Sequence, residues 1–128
     1  MKTVLVVDDE PRLRLLYRDA LEDEGYAVAE AGSGDAAMEV LSRQAVDLII
    51  LDIRMKGTHG LELLPTLHTS YARIPVIICS GVDSLFGHYA IWEAGEQVVG
   101  MFRKPVNLAE LIDCVDRALG APSPSAAP

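Results

Sequence analysis

Residues 47–52 read Asp47-Leu48-Ile49-Ile50-Leu51-Asp52, four aliphatic side chains in an unbroken run between two carboxylates. A strand with one face in water alternates apolar and polar residues. A continuous run of this length belongs to a strand covered on both faces, as in a parallel sheet beneath crossover helices. Outward from this run the same pattern recurs. Thr3–Val7, Val76–Ser80 and Val98–Phe102 are further apolar strand candidates, and the less apolar Tyr26–Ala31 is expected at an edge.

Between the strands the spacing becomes helical. Leu13, Leu16, Tyr17, Ala20 and Leu21 form one stripe, with Pro11 suited to a first turn and Gly25 to a stop. Leu108, Leu111, Ile112, Val115, Ala118 and Leu119 form another, with Asn107 as cap and Gly120 behind. Shorter helices are expected over Gly34–Ser42 and Gly60–His68, and one interrupted by Gly87 over Asp83–Ala94. Five βα units joined by right-handed crossovers give an α/β fold, a doubly wound parallel five-stranded sheet of the flavodoxin-like kind.

Composition narrows the function. The 128 residues are 50% hydrophobic and carry 11 Lys plus Arg against 19 Asp plus Glu, a formal charge of −8. One domain is expected over residues 1–120, with 121–128 (Ala-Pro-Ser-Pro-Ser-Ala-Ala-Pro) as a disordered tail or linker start. The acidic surplus opposes direct binding to nucleic acid or to anionic membranes, since both require clustered Lys and Arg. No run reaches the roughly 18 apolar residues of a membrane span. Cys79 and Cys114 fall in apolar patterns and read as buried thiols of a reducing compartment, hence a cytoplasmic protein.

Ligands of doubly wound sheets sit at the carboxyl ends of the strands. Strand one ends in Asp8-Asp9-Glu10, strand three in Asp52, strand four in Ser80-Gly81 and strand five in Lys104-Pro105. Taken singly, Asp9 reads equally well as a helix cap, while Ser80 reads better as a turn residue and Lys104 better as a solvated surface charge. Asp52, closing a fully apolar strand, must be hydrated, paired or bound to a cation. Two unit charges about 4 Å apart repel by roughly 4 kcal/mol at an effective dielectric near 20, so a carboxylate cluster needs a counter-ion. Lys104 supplies one positive charge. A hard divalent cation, Mg²⁺, suits the remainder, and an open Mg²⁺ site that accepts a phosphate oxygen points to phosphoryl transfer.

With these residues in view, the chain resembles the receiver domain of bacterial two-component response regulators over about residues 1–120. The resemblance rests on Val4-Leu5-Val6-Val7-Asp8-Asp9-Glu10, Asp47 through Met55, Gly60, Ser80 and Lys104-Pro105. It implies that Asp52 is the phosphoacceptor, and that Asp8, Asp9 and Asp52 bind Mg²⁺ with Asp9 the direct ligand and the Arg54 backbone carbonyl completing the protein's share. It further implies that Ser80 and Lys104 contact the phosphoryl group, that the Lys104–Pro105 bond is cis, and that the domain catalyses only its own phosphorylation and dephosphorylation. A sensor histidine kinase or phosphotransfer protein would be the donor, and a downstream output protein or domain the recipient of the signal. Output would run through Ser80 to the face of helix four, strand five and helix five, with a homodimer that forms on phosphorylation as a further expectation.

The chain departs from this pattern in places. The aromatic residue usual three positions before the lysine is Met101, with Phe102 beside it, so Met101 reads as a surface contact without a discrete rotamer toggle. Lys56 stands where proline is common, and the span from Ser80 to Lys104 is long around Gly87-His88. His59, His68 and His88 read as surface or loop residues. The alternative is a pseudo-receiver that binds partners without phosphorylation. A flavin carrier shares the topology, but Asp-Asp-Glu follows strand one where a flavin phosphate needs backbone N–H groups.

Overall fold

The structure, a computed structural model, describes residues 1–53, 59–81 and 89–120. In chain order it comprises β1 (Thr3–Val7), α1 (Pro11–Asp23), β2 (Ala27–Ala31), α2 (Gly34–Arg43), β3 (Leu48–Ile53), α3 (His59–Ser70), β4 (Val76–Ser80), α4 (Tyr89–Ala94), a 3-10 turn (Gly95–Gln97), β5 (Val98–Arg103) and α5 (Leu108–Leu119). The five strands form one parallel sheet in the order β2-β1-β3-β4-β5. The doubly wound α/β fold expected from the sequence is therefore present, with β2 at an edge. Strand order reverses between β1 and β3, and the crevice outside their carboxyl ends is where such sheets hold ligands.

Alternation along the strands divides the core in two. Leu5, Val7, Ile49, Leu51, Ile53, Val76 and Ile78 face α2, α3 and α4, packing on Ala37, Leu41, Leu64, Leu67 and Ile91. Val4, Val6, Leu48, Ile50, Ile77 and Cys79 face α1 and α5, packing on Tyr17, Leu21, Leu111 and Val115. Because both faces are covered, the central strands β3 and β4 carry no polar side chain until their carboxyl ends, and that is why their polar residues collect on one rim.

Helix ends follow the local chemistry. Ser33 Oγ accepts from Ala36 N at 3.1 Å and Asn107 Oδ1 from Glu110 N at 3.0 Å, capping α2 and α5. Gly120 ends α5 at φ +62°, a conformation that penalises a Cβ. The N-cap of α1 is Glu10, with Pro11 at the first helical position. The end of α3 is held from a distance. The buried Gln97 side-chain amide donates to the carbonyls of Leu67, Tyr71 and Ile74 at 3.3, 2.9 and 3.0 Å, and His68 Nδ1 lies 3.2 Å from its Oε1. This clasp fixes the chain where it enters β5.

Some boundaries differ from the sequence expectation. β3 runs on through Asp52 to Ile53, because Asp52 pairs with Cys79 and Ile53 with Ser80 across the ladder to β4. Of the expected helix Asp83–Ala94, Tyr89–Ala94 is helical and residues 83–88 lie outside the described residues, as do Arg54, Lys56 and the tail 121–128. Between β4 and β5 the register shifts, Val76 pairing with Val98 and Ile77 with Gly100, so Val99 is an extra residue. Met101 then lies opposite Ile78 and is 47% exposed, while Phe102 packs with the α1/α5 cluster.

The same register presses Gly100 onto α5. A Cβ there would stand 2.7 Å from Cys114 Sγ and 3.3 Å from Phe102 Cε2, too close unless the Cys114 side chain or the backbone shifts. Gly100→Ala is therefore expected to destabilise the protein by about 1–3 kcal/mol in urea unfolding. Combining it with Cys114→Ala should recover a part of that loss, as a coupling of about 0.5–3 kcal/mol in a double-mutant cycle. Strict additivity would show that the clash is not between these two residues.

Candidate functional site

The rim formed by β1, β3, β4 and β5 collects side chains that are up to 96 positions apart in the chain. Asp8 and Asp9 follow β1, and Asp52 is the penultimate residue of β3. One carboxylate oxygen from each of these three lies within 4.8 Å of the other two. Lys104, one residue beyond β5, places Nζ 2.8 Å from Asp52 Oδ1 and 3.2 Å from Asp8 Oδ2. Ser80 closes β4, pairs with Ile53 and Arg103, and is fully buried. Its carbonyl accepts from Lys104 N at 2.9 Å, so the turn carrying the lysine is moored to the strand carrying the serine. The Lys104–Pro105 bond is cis.

Burial grades the three carboxylates. The Asp8 side chain is 1% exposed and that of Asp52 5%, whereas Asp9 is exposed. Burial pushes the Asp8 pKa above its ordinary value of 3.8. The Glu10 N–H, donating to Asp8 Oδ1 at 2.9 Å, opposes the rise, the Asp52 charge adds to it, and Lys104 opposes it again. For Lys104, burial works against the charge, but its contacts with Asp52 and Asp8 prevail and hold the ammonium above the usual lysine value. Burial also pushes the Cys79 thiol, beneath this cluster, up to about 12, which leaves it protonated and inert.

Three clustered carboxylates facing one ammonium, with the Asp9 side open to water, form an all-oxygen donor set suited to a hard divalent cation. Mg²⁺ is bound through one or two carboxylates and keeps several waters. The donor set therefore fits that ion, with Asp8, Asp9 and Asp52 as the residues that could hold it. The Arg54 carbonyl lies outside the described residues.

Among the histidines, His68 sits on α3 against Gln97, away from the rim, His59 opens α3, and His88 lies outside the described residues. One neighbour of the site had no signal in the sequence reading. The Arg14 guanidinium donates from Nη1 to the Asp8 carbonyl at 2.6 Å. Arg14 interrupts the apolar spacing of α1, and its match to Glu30 across 16 positions depends on the β1–β2 pairing.

Comparison with known proteins adds an independent line. A family model described as the response regulator receiver domain matches residues 4–116. The chain is 35% identical over 122 residues to the transcriptional regulatory protein GlrR of Escherichia coli (strain K12), covering 95% of this chain and 27% of that protein. It is 29% identical over 116 residues to sporulation initiation phosphotransferase F of Bacillus subtilis (strain 168), covering 91% and 92% of the two chains. Among solved structures it matches response regulator protein TrrA of Thermotoga maritima, crystallised in complex with Mg²⁺-BeF. The TM-score is 0.82 at 32% identity, covering 93% of this chain and 100% of that one. The chain thus spans about a quarter of the length of relatives such as GlrR.

The raised Asp8 pKa makes a prediction of definite sign. The folded protein holds this proton to higher pH than the unfolded chain, so the carboxyl's contribution to stability falls as pH rises from about 3.8 through the raised folded value. Asp8→Asn is expected to raise the melting midpoint of the metal-free protein at pH 7. The gain should shrink toward pH 3.8, where the wild-type carboxyl is itself neutral. A lower midpoint at pH 7 in calorimetry would mean that the Lys104 contact outweighs burial.

Proposed function

The chain belongs to the response regulator receiver domain family, and on that premise we propose that Asp52 accepts a phosphoryl group from a phosphohistidine of a sensor kinase or phosphotransfer protein. What carries the proposal is the convergence of Asp8, Asp9, Asp52 and Lys104 on one rim. A phosphoacceptor role is general to the family. Assigning it to Asp52 rests on its place at the end of the central strand, 2.8 Å from the Lys104 ammonium. Residues 1–120 are the unit that carries this activity, with the Pro- and Ala-rich residues 121–128 outside it.

In this reading an Asp52 carboxylate oxygen attacks phosphorus in line. The new O–P bond forms as the P–N bond of the donor breaks, and the departing imidazole keeps the electron pair and takes a proton from water. No general base is required, since the nucleophile is already an anion. Mg²⁺, held by Asp8, Asp9, Asp52 and the Arg54 carbonyl, would offset charge on the equatorial oxygens. Lys104 would offset the same charge, and the Ser80 hydroxyl would donate to a phosphoryl oxygen. The product is an acyl phosphate. Water attacking phosphorus along the same line returns the Asp52 carboxylate and inorganic phosphate, so the domain resets itself and processes no external substrate.

The signal leaves through protein contacts. Drawing Ser80 toward the phosphoryl group repacks α4, β5 and α5, where Val99 and Met101 are exposed, and changes what an output protein, an output domain or a second copy finds there. Moving such an equilibrium from 1:99 to 99:1 takes about 5.5 kcal/mol of preference, within reach of a few charge-assisted contacts. The working site is the cytoplasm. No helix among the described residues is long and apolar enough to cross a membrane. A module that binds partners without phosphorylation is the second reading, favoured by Met101 standing exposed where an aromatic toggle would be.

Incubation with acetyl phosphate and Mg²⁺ should add one phosphoryl group to the wild type by mass spectrometry and none to Asp52→Asn. Lys104→Met should slow the modification by about 10²–10³-fold, the usual loss when one preorganised charge is removed from a developing oxyanion. Sizing of wild type and Asp52→Asn with and without donor reports on assembly. A partner binding both proteins equally, donor or no donor, would establish the second reading.

A further inference from the structure

Asp8 and Asp9 are consecutive, and the Asp8 carbonyl and the Asp9 N–H belong to one planar peptide unit. Whatever fixes that carbonyl fixes the orientation of this peptide plane, and with it the place from which the Asp9 side chain leaves the backbone. Arg14 Nη1 donates to the Asp8 carbonyl oxygen at 2.6 Å. The amide on the other side of Asp8 is held too, donating to Ala31 O at 3.0 Å. The residue is therefore gripped at both ends of its backbone, from β2 on one side and from α1 on the other.

The arginine is itself oriented. Its Nε pairs with Glu30 Oε1 at 3.1 Å, and the second oxygen of Glu30 accepts from Arg18 Nη1 at 2.8 Å. Room for the guanidinium comes from Gly32, where a Cβ would stand 3.2 Å from Arg14 Nη1. A planar guanidinium can donate to Glu30 and to the Asp8 carbonyl at once with a fixed angle between the two bonds, which a lysine ammonium on a flexible stem cannot reproduce.

We propose that Arg14 is a positioning residue for the acidic site, holding the Asp8–Asp9 peptide so that Asp9 meets Asp8 and Asp52 in a geometry ready for Mg²⁺. The inference rests on reading that cluster as the Mg²⁺ site. Its charge alone would act in the opposite direction, since a cation close to a cation site repels the incoming ion. That opposition gives the test its sign.

The dissociation constant of Mg²⁺ would be measured by isothermal titration calorimetry for wild type, Arg14→Lys, Arg14→Met and Glu30→Gln, with urea unfolding of each in the absence of Mg²⁺. Removing an outer hydrogen-bond partner of a metal ligand typically weakens binding by about 10–100-fold. Arg14→Met is expected to weaken Mg²⁺ binding by about tenfold, at the low end of that range, Arg14→Lys by less, and Glu30→Gln in the same direction. If the methionine variant does not fold, the lysine and Glu30→Gln variants carry the comparison. Unchanged or tighter Mg²⁺ binding in the folded variants, with stability alone reduced, would show that Arg14 only clamps α1 to the sheet, and would overturn the inference. Failure of the wild type to bind Mg²⁺ would overturn the reading of the cluster itself.

Discussion

The contact between Lys104 and the two buried carboxylates, Asp52 at 2.8 Å and Asp8 at 3.2 Å, is the interaction on which the site depends. Carboxylates with almost no solvent exposure are expensive unless paired, because burial withdraws the water that stabilises their charge. Lys104 offsets both, and it does so from the far side of the sheet's switch point, so the ion pair also joins β5 to β1 and β3. Among the described residues Lys104 is the ammonium that faces Asp8 and Asp52, and the three clustered carboxylates form an oxygen donor set suited to a cation.

The sheet makes this economical. Five parallel strands point their carboxyl ends the same way, so residues at those ends become neighbours however far apart they lie in the chain. Both faces are sealed by helices, and polar chemistry is confined to the rim. Rigidity around the rim comes from hydrogen bonds that are not part of the ladder. Lys104 N to Ser80 O joins β5 to β4, and the Gln97 amide ties the entry of β5 to the end of α3. On the opposite side, Arg14 and Glu30 brace the end of β1.

These moorings leave one region less constrained. β5 is an edge strand whose register shifts at Val99, and its outward residues Val99 and Met101 remain exposed. An edge that carries exposed apolar residues beside the moored lysine can change its contacts without breaking the core. The domain thus combines a rim moored by hydrogen bonds with an edge that presents apolar side chains, and the proposed function gives that edge the exchange of partners.

Much of this could be read from the sequence. Continuous apolar runs such as Leu48–Leu51 announce doubly covered strands, the weaker Tyr26–Ala31 announces an edge, and helical stripes bounded by Asn107 and Gly120 announce α5, because each of these signals is local. Given the topology, Asp8, Asp9, Asp52, Ser80 and Lys104 could be placed on one rim, since strand direction alone decides it. Other features needed three-dimensional contact. The extension of β3 through Asp52 depends on pairing with Cys79, the displaced register of β5 on its pairing with β4, and the reach of Gln97 to α3 spans up to 30 positions. The grip of Arg14 on Asp8, anchored by Glu30, belongs with these. Local periodicity determined which segments would be strands and helices, but hydrogen bonds between side chains and distant backbone leave no trace in spacing, and only the packed chain decided them.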